Sequence, residues 1–227
     1  MSIVSYKAKT NTFKVAIGFF LLAALLGALM RFIYLQEIPF LDYKHILHAH
    51  SHIAMLGWGF TALGGALVFF MLKNDYSEMP YRKVLVANTV AGLGMFVAFI
   101  YQGYGAVSIA FGTLHVFVAY YFSWHFLKDI KNVPDNNSKT FAKWAVYLML
   151  LSTFGLWSIA PVSILLGKLH PLYFASIQFF LHFQFNGWFM YGILALLFNY
   201  SENNGQTIHL QNTPSLFYKP LLYSLTP

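Results

Sequence analysis

The sequence predicts an all-α protein, a polytopic transmembrane helix bundle of six spans with both termini in the cytoplasm. Three observations predict it. Hydrophobic residues make up 58% of the 227 positions and aromatic ones 19%, against 9% charged, where soluble domains carry about a quarter charged. Six apolar segments are each long enough to cross about 30 Å of hydrocarbon. All seven acidic residues (Glu37, Asp42, Asp75, Glu78, Asp129, Asp135 and Glu202) fall between or beyond those segments, where water can reach them.

The predicted spans run over residues 13–35, 46–72, 84–101, 106–127, 142–166 and 172–199. The first follows Lys7, Lys9 and Lys14 and begins like a signal peptide, but its apolar run continues to Leu35 and further spans follow, so it reads as a first transmembrane helix. The second opens on His48-Ala49-His50-Ser51-His52 and continues to Gly57 and Trp58. Only Tyr101-Gln102-Gly103-Tyr104-Gly105 separates the third from the fourth, which demands a tight turn. The fifth follows the turn-rich connector Asn132–Ser138, and Pro161 near its far end is a residue that kinks helices. The sixth carries Gln178, His182 and Asn186, each one turn from the next. The tail over 201–227 is polar as far as Ser215. It turns apolar again from Leu216 to Pro227, like the threshold of a seventh helix. No internal repeat or low-complexity segment is evident.

Orientation follows from the basic residues. Eleven lie in the N-terminal arm, the second and fourth connections and the tail. Arg31, Lys44 and Lys168 lie in the other connections. The positive-inside rule therefore puts both termini in the cytoplasm and the second, fourth and sixth helix starts at the outer surface. The expected location is an integral membrane one, the bacterial inner membrane, with the lipid bilayer as partner.

Composition also excludes. The net charge of +7 is scattered over short connections, which argues against nucleic acid. With no cysteine there is no thiolate metal site and no disulfide framework. No carboxylate lies within a span, which argues against a hard-cation site of oxygens. No phosphate loop and no nucleophile–base pairing is present.

What remains is imidazole. Polar groups inside a bilayer are expensive and read first as functional. At about 100° per residue, His48 and His52 share one helix face, with His45 close to it and His50 nearly opposite. Gly59, two turns beyond His52, leaves room on that face for a bulky group. His182 sits mid-membrane as a metal ligand or as the centre of a hydrogen-bond network. His115 is about mid-span in the fourth helix, where a lone histidine is more often a satisfied core residue. The bland reading of His48 and His52 is a solvated helix start at the wet interface. His125 sits near a span end, where an amphipathic side chain is cheap; His170 and His209 carry no signal. Imidazole suits haem iron, copper and zinc, so the indicated chemistry is redox chemistry at haem or copper.

The second helix, His48 to Gly57 with Gly59, Gly64 and Gly65 beyond, resembles the haem-ligating helix of the haem–copper oxidase catalytic subunit. The likeness is to the C-type oxidases and their nitric-oxide-reductase relatives. His182-Phe183-Gln184-Phe185-Asn186-Gly187-Trp188 is similar to that family's copper-ligand helix. The resemblance covers two motifs and the order of six helices, the N-terminal half of the family's twelve. It implies haem b bound through His48 or His52 and copper bound through His182; His50 and His115 remain further metal-ligand candidates from their own places in the spans. Other respiratory-type subunits, or a missing C-terminal half, would be the partners. The family's His-His pair has no counterpart here, so this chain alone does not supply the full ligand set for a binuclear oxygen-reducing centre. The competing readings are a non-catalytic haem- or metal-binding membrane protein, for copper handling or gas sensing, and a bundle whose histidines are network residues.

Overall fold

The computed structural model describes residues 3–36, 38–72 and 77–205. The expected start of a seventh helix and His209 lie outside those residues. Among the described residues every regular element is helical. The chain forms six rods: α1 (Ile3–Leu35); then α2 (Tyr43–His52) running through a π-helical segment π1 (Ile53–Gly59) into α3 (Phe60–Met71); then α4 (Glu78–Gln102), α5 (Ala106–Asp129) and α6 (Asn137–Leu165). The last rod joins α7 (Pro171–His182), a second π-helical segment π2 (Phe183–Phe189) and α8 (Met190–Asn203).

Local chemistry sets the rod ends. The Asp42 carboxylate caps α2, accepting from the amides of Lys44 at 2.7 Å and His45 at 3.2 Å. Those amides hold its carboxyl below the usual carboxylate range. Gly103 ends α4 at φ +60°, a backbone region that glycine enters without a Cβ clash. Ser108 then closes the turn, its hydroxyl donating to Gly103 O at 2.7 Å and accepting from the Gly105 amide at 2.9 Å. Asn136 caps α6 through the Lys139 amide, and His170 caps α7 with Pro171 in its first turn. Pro161 lies inside α6, near its end, and the helix continues past it to Leu165.

Among the described residues five helices are long and apolar enough to cross a membrane: Ala8–Leu35, Tyr43–Met71, Glu78–Gln102, Ala106–Asn132 and Asn137–Leu165. The sixth predicted span is a continuous helical rod, but Gln178, His182, Gln184 and Asn186 dilute its apolar density, and it is not among the five. The helices carry large apolar side chains outward, Leu25, Val97 and Ile164 among them, as lipid-solvated helices do. This is the architecture of an integral membrane protein.

Three apolar clusters hold the rods together, the smallest being Phe19 and Ala23 of α1 against Ile53 of π1. Another joins α3, α5, α6 and the last rod around Leu67, Phe122, Val146, Met149 and Trp188. The third joins α1, α2, α4 and α7 through Leu26, Ile46, Ala49, Met95, Phe99 and Phe180. Where lipid replaces water outside, close backbone approach matters more than apolar burial. Gly155 shows this: a Cβ there would stand 2.5 Å from Ser176 O of α7.

Candidate intramembrane histidine site

The outer shell of the site is a cluster of rings on α2 and the α4–α5 turn. His52 Nδ1 lies 2.8 Å from the carbonyl of His48, one turn back. A carbonyl only accepts, so Nδ1 carries the hydrogen and Nε2 keeps its lone pair. The Tyr104 hydroxyl stands 3.4 Å from that Nε2. Phe99 packs on the His52 ring at 4.3 Å, and Tyr104 meets His48 edge-on at 4.5 Å. Although Tyr104 is 59% exposed as a whole, packing around its hydroxyl, and secondarily the neighbouring phenol of Tyr173, push that hydroxyl up to about 12, so it remains a donor at ordinary pH. His48 and His52 thus share one face, as their spacing predicts. His45 lies nearby, its Nδ1 3.3 Å from Ile100 O and its ring in the space a side chain at Gly103 would need.

One turn deeper the π-helical segment changes the backbone chemistry. The Phe60 amide donates to Met55 O and Gly57 O and passes over Leu56 O, its α-helical acceptor. Asn88 of α4 fills the gap. Its Nδ2 donates to Leu56 O at 3.1 Å and to Thr61 Oγ1 at 3.0 Å, while its Oδ1 accepts from His115 Nδ1 at 2.7 Å. Asn88 and His115 are 1% and 5% exposed, so in this dry setting each bond matters more than it would in water. His115, like His52, therefore has its hydrogen fixed on Nδ1 and its Nε2 lone pair free. Phe60 stands edge-on to His115 at 5.0 Å, and Trp188 lies on its other neighbours, 6.1 Å from Phe60 and 6.0 Å from Phe122. The Trp188 Nε1 donor is buried and has no partner.

The structure separates the remaining expected residues from this site. His50 points to the opposite side of α2, its Nδ1 donating to Ala23 O of α1 at 2.9 Å. The room expected at Gly59 is taken: a Cβ there would sit 2.7 Å from the Phe189 ring. The wider π-helical turn rotates Gly59 off the His52 face, so a straight α-helical count fails beyond His52. His182 is half-buried beside exposed Gln178 and Asn186, with Asn186 Nδ2 3.3 Å from its Nδ1. That stripe faces out of the bundle rather than into it. Among the described residues no group of three or more His, Cys, Asp or Glu is placed to hold a metal ion.

Two features of the site escape a reading of the histidines alone. Asn88 is one, although a lone asparagine in an apolar helix is itself a signal. The other is a local repeat: His52 and His182 are each followed, after four residues, by Gly-Trp, at Gly57-Trp58 and Gly187-Trp188. Both copies are π-helical from the residue after the histidine. In the first copy the Trp is partly exposed and in the second it is fully buried. Comparison with known families, with curated proteins and with solved structures returns no match to this chain.

Proposed function

We propose that the protein is an integral membrane redox protein that binds haem b, with His52 as the iron ligand. The observation that carries this reading is the bond from His52 Nδ1 to its own helix at His48 O. It fixes ring orientation and tautomer and leaves Nε2 as the ligating atom, the second-shell arrangement that imidazole ligands of metals use. His115 is prepared in the same way by Asn88. Bound haem would supply one-electron transfer. The chain's part is to orient the imidazole through His48 O and to exclude water with Phe99; the Tyr104 hydroxyl, 3.4 Å from Nε2, would give up that position to the iron.

The donor chemistry fits haem at His52; it does not fit copper at His182. That ring belongs to no group of three or more His, Cys, Asp or Glu among the described residues and lies beside exposed Gln178 and Asn186, so no copper chemistry is derived from it. The reading is therefore haem–copper-oxidase-like in its haem helix and in the expected topology. In its histidine set it corresponds to the non-catalytic, haem-binding alternative. Six crossings with both termini in the cytoplasm would place His52 in the outer half of the bilayer.

The test is an optical spectrum of detergent-purified protein, oxidised and then dithionite-reduced, from cells supplied with haem. A b-type signal is expected in the wild type and in His48→Ala, and its loss in His52→Ala. Full haem content in His52→Ala would refute the iron assignment.

A further inference from the structure

On the far side of α2 from His52, a cavity of about 440 Å³ opens between α1 and α2, lined by Gly27, Met30, Arg31, Tyr34, Tyr43 and His50. We propose that this cavity is a binding site for a phosphate group, supplied by a phospholipid headgroup or by free phosphate.

Its position comes first. Arg31 and Tyr34 stand in the last turns of the span Ala8–Leu35, and Tyr43 is the first residue of the span Tyr43–Met71. The cavity thus lies at a membrane boundary, the depth at which headgroup phosphates sit, whichever way the chain is inserted. Its chemistry comes second. Arg31 offers a permanently charged fork of donors, suited to two phosphate oxygens at once. The described residues hold one ion pair, Lys139–Asp135, and it is elsewhere. The Tyr34 and Tyr43 hydroxyls stand 3.5 Å apart, so at least one of the two hydrogens can point at a ligand. His50 spends its Nδ1 hydrogen on Ala23 O, so its Nε2 accepts from a hydroxyl or amine next to the phosphate. Gly27 makes this possible, because its missing Cβ would lie 3.2 Å from His50 Cε1. The only nearby carboxylate with a described position, Asp42, is turned to the α2 amides. Cation, two phenols and imidazole around one boundary cavity make a donor and acceptor set that a phosphate group and its neighbouring hydroxyl or amine can fill.

The experiment uses the full chain in a mild detergent, stripped of lipid. The thermal unfolding midpoint is followed against short-chain phosphatidylglycerol, short-chain phosphatidylcholine and inorganic phosphate. The wild type is expected to gain stability saturably, with Arg31→Gln weakening the apparent affinity at least tenfold and Tyr43→Phe by a few fold. Arg31 is exposed and packs in none of the three apolar clusters, so its replacement leaves the fold intact. Protection by the phospholipids alone identifies a headgroup, whereas equal protection by inorganic phosphate identifies a soluble anion. Equal responses of wild type and Arg31→Gln to every additive overturn the site. Native mass spectrometry gives a second readout, and equal phospholipid retention by wild type and Tyr43→Phe overturns it too.

Discussion

The Nδ1 of His115 lies 2.7 Å from Oδ1 of Asn88, and through Asn88 the imidazole is tied to the backbone of a different rod at Leu56. This relationship makes the π-helical segment part of the site. The segment gives up an α-helical hydrogen bond at Leu56 O, and the asparagine side chain supplies the missing donor. Three rods thereby acquire one fixed register around the histidine.

Asn88→Val should therefore be one of the more destabilising single changes in the bundle. It removes three buried bonds at once, each worth on the order of 0.6 kcal/mol in membrane proteins. It also leaves Leu56 O and His115 without partners, which adds on the order of 1 kcal/mol. A loss of about 2–3 kcal/mol in detergent unfolding is expected, with Leu85→Val on the same helix as the mild comparison. An effect on Asn88→Val no larger than that of the comparison would show that the network does not set the register.

Much of this was readable in the residues. Run length and the placement of charges outside the spans predict six rods; all six are helical among the described residues, and five of them are long and apolar enough to cross a membrane. The shared face of His48 and His52, and the opposite placement of His50, follow from helical periodicity alone. Periodicity then misleads at Gly59, because it assumes an unbroken α-helix and π1 begins at Ile53. His182 misleads for another reason: a polar stripe shows its period but not whether it faces the bundle or the outside. Asn88 pairs with groups on two other rods, and no local pattern encodes such partners.

The glycines divide by what surrounds them. Gly155→Ala would drive a methyl to within 2.5 Å of a backbone carbonyl, Ser176 O, and 2.9 Å of Phe180 N, neither of which can rotate away. Overpacking of that kind costs about 1–3 kcal/mol. Gly112→Ala meets nothing within 4 Å and should be neutral, or stabilising by up to about 1 kcal/mol through helix propensity. Paired unfolding curves check both, and a reversed order would mean that the α6–α7 approach is looser than described.

Alkaline pH should weaken the turn that carries Tyr104. Its hydroxyl is raised from an ordinary value of 10 to about 12, so the folded chain holds the proton more tightly than the unfolded one. The associated stability is complete below pH 10 and is lost as pH rises from 10 towards 12. Tyr104→Phe abolishes this term, so part of the wild-type loss of stability over that window should disappear in the variant. Identical alkaline profiles would place the phenol in open solvent.

Orientation can be read directly because the chain contains no cysteine to remove. Asn132 and Leu169 are exposed connection residues at opposite ends of α6, Leu169 being 91% exposed. If the basic residues mark the cytoplasmic side, Leu169→Cys in intact cells reacts with a membrane-impermeant maleimide, and Asn132→Cys reacts only after permeabilisation. The reverse pattern would invert the bundle and put His52 near the cytoplasmic face. Labelling of both from outside would mean that α6 does not cross the bilayer. That outcome would remove the dry environment on which the roles of Asn88, His52 and His115 depend.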